Sequence, residues 1–168
     1  DDPWINLLCL PSNDGLIHGR MDWHSPDYYI NCWAYAGLYE ASRAASVLSE
    51  TEDAETWSRS AAEVQSKIAL GLLPQFGNDR DPAAAPYPTG AFASDPSRLV
   101  GQLGNWYRTH RLNADGESVS EPLWTYFEVA QAHNAMLLGM VDEAWTTMDR
   151  FFSQKGPWDV SAYGEGRP

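Results

Sequence analysis

The sequence predicts an all-α fold of antiparallel helical hairpins, and three features carry that expectation. Residues 26–48 are apolar at nearly every angle around a helical axis, which describes a buried helix. Residues 54–72 carry an apolar stripe at helical spacing with charges opposite it. A second helix pair follows the polar turn Asn113-Ala114-Asp115-Gly116, and its turn loosely resembles that of the first pair.

The opening segment, residues 1–24, reads as irregular. Pro3, Pro11 and Asn13-Asp14-Gly15 punctuate short apolar runs, and only these runs offer anything like a strand. Ser25 is a candidate N-cap and Pro26 fits a first helical turn, because proline has no amide to leave unpaired. Behind them Tyr28, Tyr29, Ile30, Cys32, Trp33, Ala34, Tyr35, Ala36 and Leu38 predict a helix with Tyr29, Trp33, Ala36 and Ala41 nearly inaccessible. Ser49 to Glu52 has capping-box spacing ahead of the second helix. That helix places Trp57, Ala61, Val64, Ile68 and Leu72 on one face and Glu55, Arg59, Glu63 and Lys67 on the other.

Residues 73–94 are rich in Pro, Ala and Gly and have no period; a connection this long inside a domain is more often functional than idle. Asp95-Pro96 starts a third helix with Leu99, Leu103 and Trp106 on one face, ending near Arg111. Glu121-Pro122 opens a fourth, with Phe127, Ala130, Asn134 and Leu137 sharing a face and Gly139 where a left-handed cap is wanted. Asp142 is the expected cap of a fifth, whose apolar positions are Ala144, Trp145, Met148, Phe151 and Phe152.

Composition bounds the function. With 168 residues, 43% hydrophobic and 20% charged, the chain is a single globular domain. A net charge of −12 argues against a nucleic-acid or anionic-membrane partner, both of which call for basic patches. No apolar run approaches the roughly 20 residues of a membrane span, and no signal peptide is visible. Cys9 and Cys32 leave the compartment open, as they do their own pairing. No metal or cofactor is expected: His18 and His24 straddle Asp22 without HxxxH or CxxC spacing, and neither a phosphate-cradling glycine loop nor a GxSxG elbow occurs.

The residues with chemistry to offer cluster at one helix mouth. Asp22, Trp23 and His24 directly precede the first helix, where an aromatic neighbour and burial would raise the pKa of a carboxyl. Among eight tryptophans and eight tyrosines, Trp4, Trp23, Tyr87, Trp124, Trp158 and Tyr163 stand in loops or near helix starts, where flat apolar faces suit sugar rings. Glu165 lies between Gly164 and Gly166, in a loop able to approach a ligand closely.

Taken together, the aromatic-rich loop, the inner helix YYINCWAYAGLYEA and the outer helix AETWSRSAAEVQSKI resemble part of a six-hairpin (α/α) toroid of the glycoside hydrolase type. The trehalase, glucosidase and glucoamylase-like families of that fold often carry Met-Asp-Asn-Ser-Pro ahead of such a helix; Met21-Asp22-Trp23-His24-Ser25-Pro26 is similar, with one extra residue and no asparagine. The resemblance implies an incomplete toroid, a carbohydrate substrate, Asp22 as general acid and Glu165 as base. It further implies Trp23, His24, Trp124 and Trp158 as substrate-binding residues, and remaining hairpins supplied by the same enzyme or another chain. An inverting mechanism sets its two carboxyl groups roughly 6.5–9.5 Å apart.

Two alternatives stay open. His133 and Asn134, with Tyr126 earlier on the same helix, are residue types that polysaccharide lyases on related toroids use, although a His-Asn pair on an apolar helix is more often a satisfied core group. A non-catalytic hairpin stack that binds a partner through one face would keep the aromatics without needing two acids.

Overall fold

The computed structural model describes residues 10–11, 15–18, 27–69, 80–117 and 125–153. Its elements are β1 (Leu10–Pro11), β2 (Ile17–His18), α1 (Asp27–Val47), α2 (Thr51–Lys67), α3 (Asp81–Ala84), α4 (Pro96–His110), α5 (Thr125–Leu137) and α6 (Val141–Ser153). The expected helical architecture is present. β1 and β2 form one antiparallel ladder, Leu10 opposite His18 and Pro11 opposite Ile17. Asn31 fastens it to α1, its side chain accepting from the Ile17 amide at 2.9 Å and donating to the Ile17 carbonyl at 3.0 Å.

α1 packs along α2, and α5 along α6, as two αα-hairpins. Their turns are built alike. Ser49 (φ 63°) and Gly139 (φ 77°) both take the left-handed conformation that ends a helix. Glu50 donates to the Ala45 carbonyl and Met140 to the Ala135 carbonyl, while Ala54 bonds back to Glu50 and Ala144 to Met140. Every member of the second set stands ninety positions after its counterpart. The loose likeness of the two turns in sequence is thus a shared backbone pattern.

This geometry corrects the capping box. Ser49 closes α1 rather than opening α2, Glu50 takes the N-cap place without a side-chain bond, and α2 starts at Thr51. Asp142 likewise lies inside the first turn of α6, where its charge suits the positive helix end. Asp95 caps α4 as expected, its carboxylate accepting from the Arg98 amide at 3.3 Å.

The core lies where the hairpins meet α4 and the segment after Arg80. It gathers Tyr28 and Cys32 of α1, Ile68, Phe92, Leu99, Leu103 and Trp106, and Ala135, Met140 and Ala144 of the second hairpin. The alanines of the 82–91 stretch are buried, their small side chains letting this turn wedge closely between helices. Gln65 Nε2 donates to the Ala91 carbonyl and Arg98 to the Ala69 carbonyl, tying the wedge and α4 to the end of α2.

The helix around Trp33 is not buried all round. Tyr28, Asn31, Cys32 and Ala45 are buried, Tyr29, Ala36 and Ala41 are half-buried, and Trp33 is 44% exposed. Among the described residues, α2 and the 80–92 wedge pack against α1. On α5 the buried set is Phe127, Glu128, Gln131, Ala132, Asn134 and Ala135, because α6 covers one part of that side and α3 with its following turn another; Leu137 faces outward. Trp145 and Phe152 of α6 are also exposed, while Ala144 and Thr147 point inward.

Candidate functional site

The first turns of α1 and α5 lie side by side, and an aromatic-walled cavity of about 240 Å³ opens between them and the turn after α3. Tyr29 and Phe127 meet edge to face with centroids 6.5 Å apart, and Trp33, one turn further along α1, meets Tyr29 at 6.2 Å. On the other wall Tyr87 stands edge-on to the His133 imidazole at 5.0 Å. Ala83, Ala84, Pro88 and Ala130 fill in between these rings. Small residues set the depth and rings set the walls, the composition of a site for a ligand with a flat apolar face. Among the described residues, no lysine, arginine or carboxylate lines this cavity.

Buried polar groups beneath it hold the walls in place. Asp81, at the start of α3, accepts from the Tyr29 amide at 3.2 Å and so satisfies an amide of the first turn of α1. Arg80 lies over the Phe127 ring at 5.8 Å. Asn134 donates to the carbonyls of Pro82 at 2.9 Å and Tyr87 at 3.2 Å, and Thr89 donates to that of Ala84 at 2.8 Å. Burial first, then the Asp81 charge, pushes the Cys32 thiol up, while a hydrogen bond with Thr89 opposes them. Tyr28 is raised by burial, then by Cys32 and Asp81, with Arg98 pulling the other way. Both groups keep their protons throughout the neutral range.

A second buried cluster joins α4, α5 and α6. Arg150 approaches the fully buried Glu128 at 3.7 Å, and Arg111 donates to Gln131 at 2.6 Å. Glu128 is the one acid or base other than His133 within α5, TYFEVAQAHNAML. An acid alone in an apolar helix was the available sign of a buried ion pair, and sequence reasoning passed over it. This cluster fastens the end of α4, α5 and α6 together.

Asp22, Trp23, His24, Trp124, Trp158 and Glu165 lie outside the described residues, as do Ser25, Pro26, Glu121, Leu72 and Cys9. Their place relative to the cavity is given by sequence alone: Asp22-Trp23-His24 leads into α1, and Trp124 immediately precedes α5. His133 and Asn134 separate, since His133 lines the cavity whereas Asn134 is buried with its amide spent on backbone carbonyls. Tyr87 was among the loop aromatics noted for their flat faces, but its partners Tyr29, Trp33 and Phe127 were missed as a group. Tyr29 and Trp33 stood in the helix read as core, and Tyr87 in a segment without a period. Compared with protein-family models, curated proteins and solved structures, the chain matches none.

Proposed function

We propose that the chain is a glycoside hydrolase, or a part of one, built as an incomplete (α/α)6 toroid with its sugar bound in the cavity of Tyr29, Trp33, Tyr87, Phe127 and His133. The observation that carries this reading is the cavity itself, ring-walled and placed at the starts of α1 and α5. The sequence feeds Asp22-Trp23-His24 into one of those starts and Trp124 into the other. In this reading Asp22 protonates the leaving oxygen, Glu165 activates water on the opposite face of the sugar, and Trp23, His24, Trp124 and Trp158 extend the binding surface.

The toroid draws support from the two hairpins sharing one turn pattern ninety residues apart. Exposed Val47 and Leu48 on the first hairpin, with Met136, Leu137, Val141, Trp145 and Phe152 on the second, are faces that further hairpins would cover. The same exposed faces favour a second reading, a non-catalytic stack that binds a partner chain.

Asp22→Asn decides between the two. Loss of the acid should lower turnover about 10²–10⁴-fold on glycosides with poor leaving groups and less on activated ones. Turnover that is equal in the two proteins across both substrate types removes Asp22 from the mechanism. No turnover by either protein on any glycoside favours the scaffold.

A further inference from the structure

We propose that Asn134 is a positioning residue for the cavity, setting the Tyr87 ring against His133 so that the two form one wall of the binding slot; this rests on the reading of the cavity as the carbohydrate site. Asn134 is fully buried, next to His133 on α5. Its Nδ2 donates to Pro82 O at 2.9 Å and to Tyr87 O at 3.2 Å. One amide therefore grips both ends of the turn that carries Tyr87, across 52 and 47 residues of sequence.

The consequence for the wall is geometric. α5 presents His133 to the cavity and Asn134 to the turn from adjacent positions, so the helix that offers the imidazole also fixes the ring opposite it. Tyr87 is 55% exposed, and little of its own burial anchors it. Its ring nevertheless stands at 87° to the imidazole with centroids 5.0 Å apart. The turn's own bonds, Thr89 to Ala84 O and the Gly90 amide to Pro86 O, shape it locally, and the grip of Asn134 on Tyr87 O ties it to α5, the helix that carries His133. Releasing the Tyr87 end leaves the ring attached only through a turn with one fewer tie, and the slot widens on that side.

Two readouts on the full chain separate this role from a general loss of stability. The first is free of ligand: the ring-proton resonances of His133, which the edge-on Tyr87 shifts. Asn134→Ala should move them most of the way to their positions in Tyr87→Ala, while Leu99→Ala, a core truncation of α4, should leave them in place. The second is affinity for maltose, followed by tryptophan fluorescence. Asn134→Ala should weaken it about three- to tenfold, the worth of one hydrogen bond, and the loss should vanish in the Tyr87→Ala background. Asn134→Ser serves both readouts if the alanine variant does not fold. Unmoved His133 resonances overturn the positioning role whatever maltose does. Maltose binding that is strong in the wild type and unchanged in Asn134→Ala overturns the role and leaves the carbohydrate site standing. A wild type that binds neither maltose nor trehalose, with His133 resonances that shift in Asn134→Ala, overturns the cavity as a site for these sugars and leaves the placing of the Tyr87 ring by Asn134 standing.

Discussion

Ser49 and Gly139 occupy the same place in two hairpin turns, both with positive φ and each followed by a residue bonded five positions back. Their side chains differ, so the two positions respond oppositely to substitution. Serine in the left-handed region carries strain that glycine lacks. Ser49→Gly should raise unfolding stability by about 0.5–1 kcal/mol and Gly139→Ala should lower it by about 1 kcal/mol. Urea denaturation of the two variants checks both signs. Among the described residues nothing lies within 4 Å of a methyl group built on Gly139, so conformation rather than crowding accounts for its loss.

Asp81 ties α3 to the start of α1 through the Tyr29 amide. Asp81→Ala removes the acceptor of that part-buried amide and should lower stability by about 1–2 kcal/mol. Asp81→Asn keeps an acceptor and should lose less. Chemical denaturation ranks the pair, and equal losses would mean that the carboxylate's charge, not its acceptor oxygen, is what matters.

The helices were legible because their signals are local. Asp95-Pro96 announced α4 with a cap and a pre-set dihedral, and Gly139 announced the end of α5. Burial was less legible, because it depends on what lies alongside. Trp33 belongs to an apolar run, but it faces the cavity between α1, α5 and the turn after α3 instead of a packed neighbour. The 80–92 wedge was illegible for another reason: its order comes from contacts with Asn134, Gln65 and the core, all distant in sequence. Of the ring-walled cavity, the sequence offered Tyr87 as a loop aromatic and His133 as a group with chemistry, while Tyr29 and Trp33 read as core; the helix-mouth residues Asp22, Trp23 and His24 lie outside the described residues.

Burial at the base of the cavity makes stability depend on alkaline pH. Cys32 is raised above its ordinary 9.0 and Tyr28 above its ordinary 10.0. Below pH 9 both states hold these protons and neither group contributes a slope. As pH passes 9 the unfolded thiol ionises first, so the unfolded state binds fewer protons than the native one and stability falls. Each group adds at most about 1.4 kcal/mol per pH unit, with Tyr28 joining near pH 10. Cys32→Ala should flatten the first part of the decline and Tyr28→Phe the second, measured by urea midpoints between pH 7 and 11.

Two tryptophans separate packing from binding. Trp106 is 5% exposed within the core and Trp33 is 44% exposed at the cavity. Trp106→Ala should lower stability by about 3–5 kcal/mol. Trp33→Ala should lower it by about 1 kcal/mol or less, as befits a side chain with half its surface in water. Thermal and urea unfolding of both variants test the contrast.

Isothermal titration of the full chain with maltose and trehalose, in the wild type and in Trp33→Ala and Tyr87→Ala, bears most directly on the cavity as a carbohydrate site. Stacking on one aromatic face contributes on the order of 1 kcal/mol, so each substitution should weaken the sugar that binds by about fivefold or more. The fold should be retained in both variants. Affinity that is measurable in the wild type and unchanged in the two variants would contradict the assignment, and would move the sugar away from the Tyr29–Trp33–Tyr87–His133 walls.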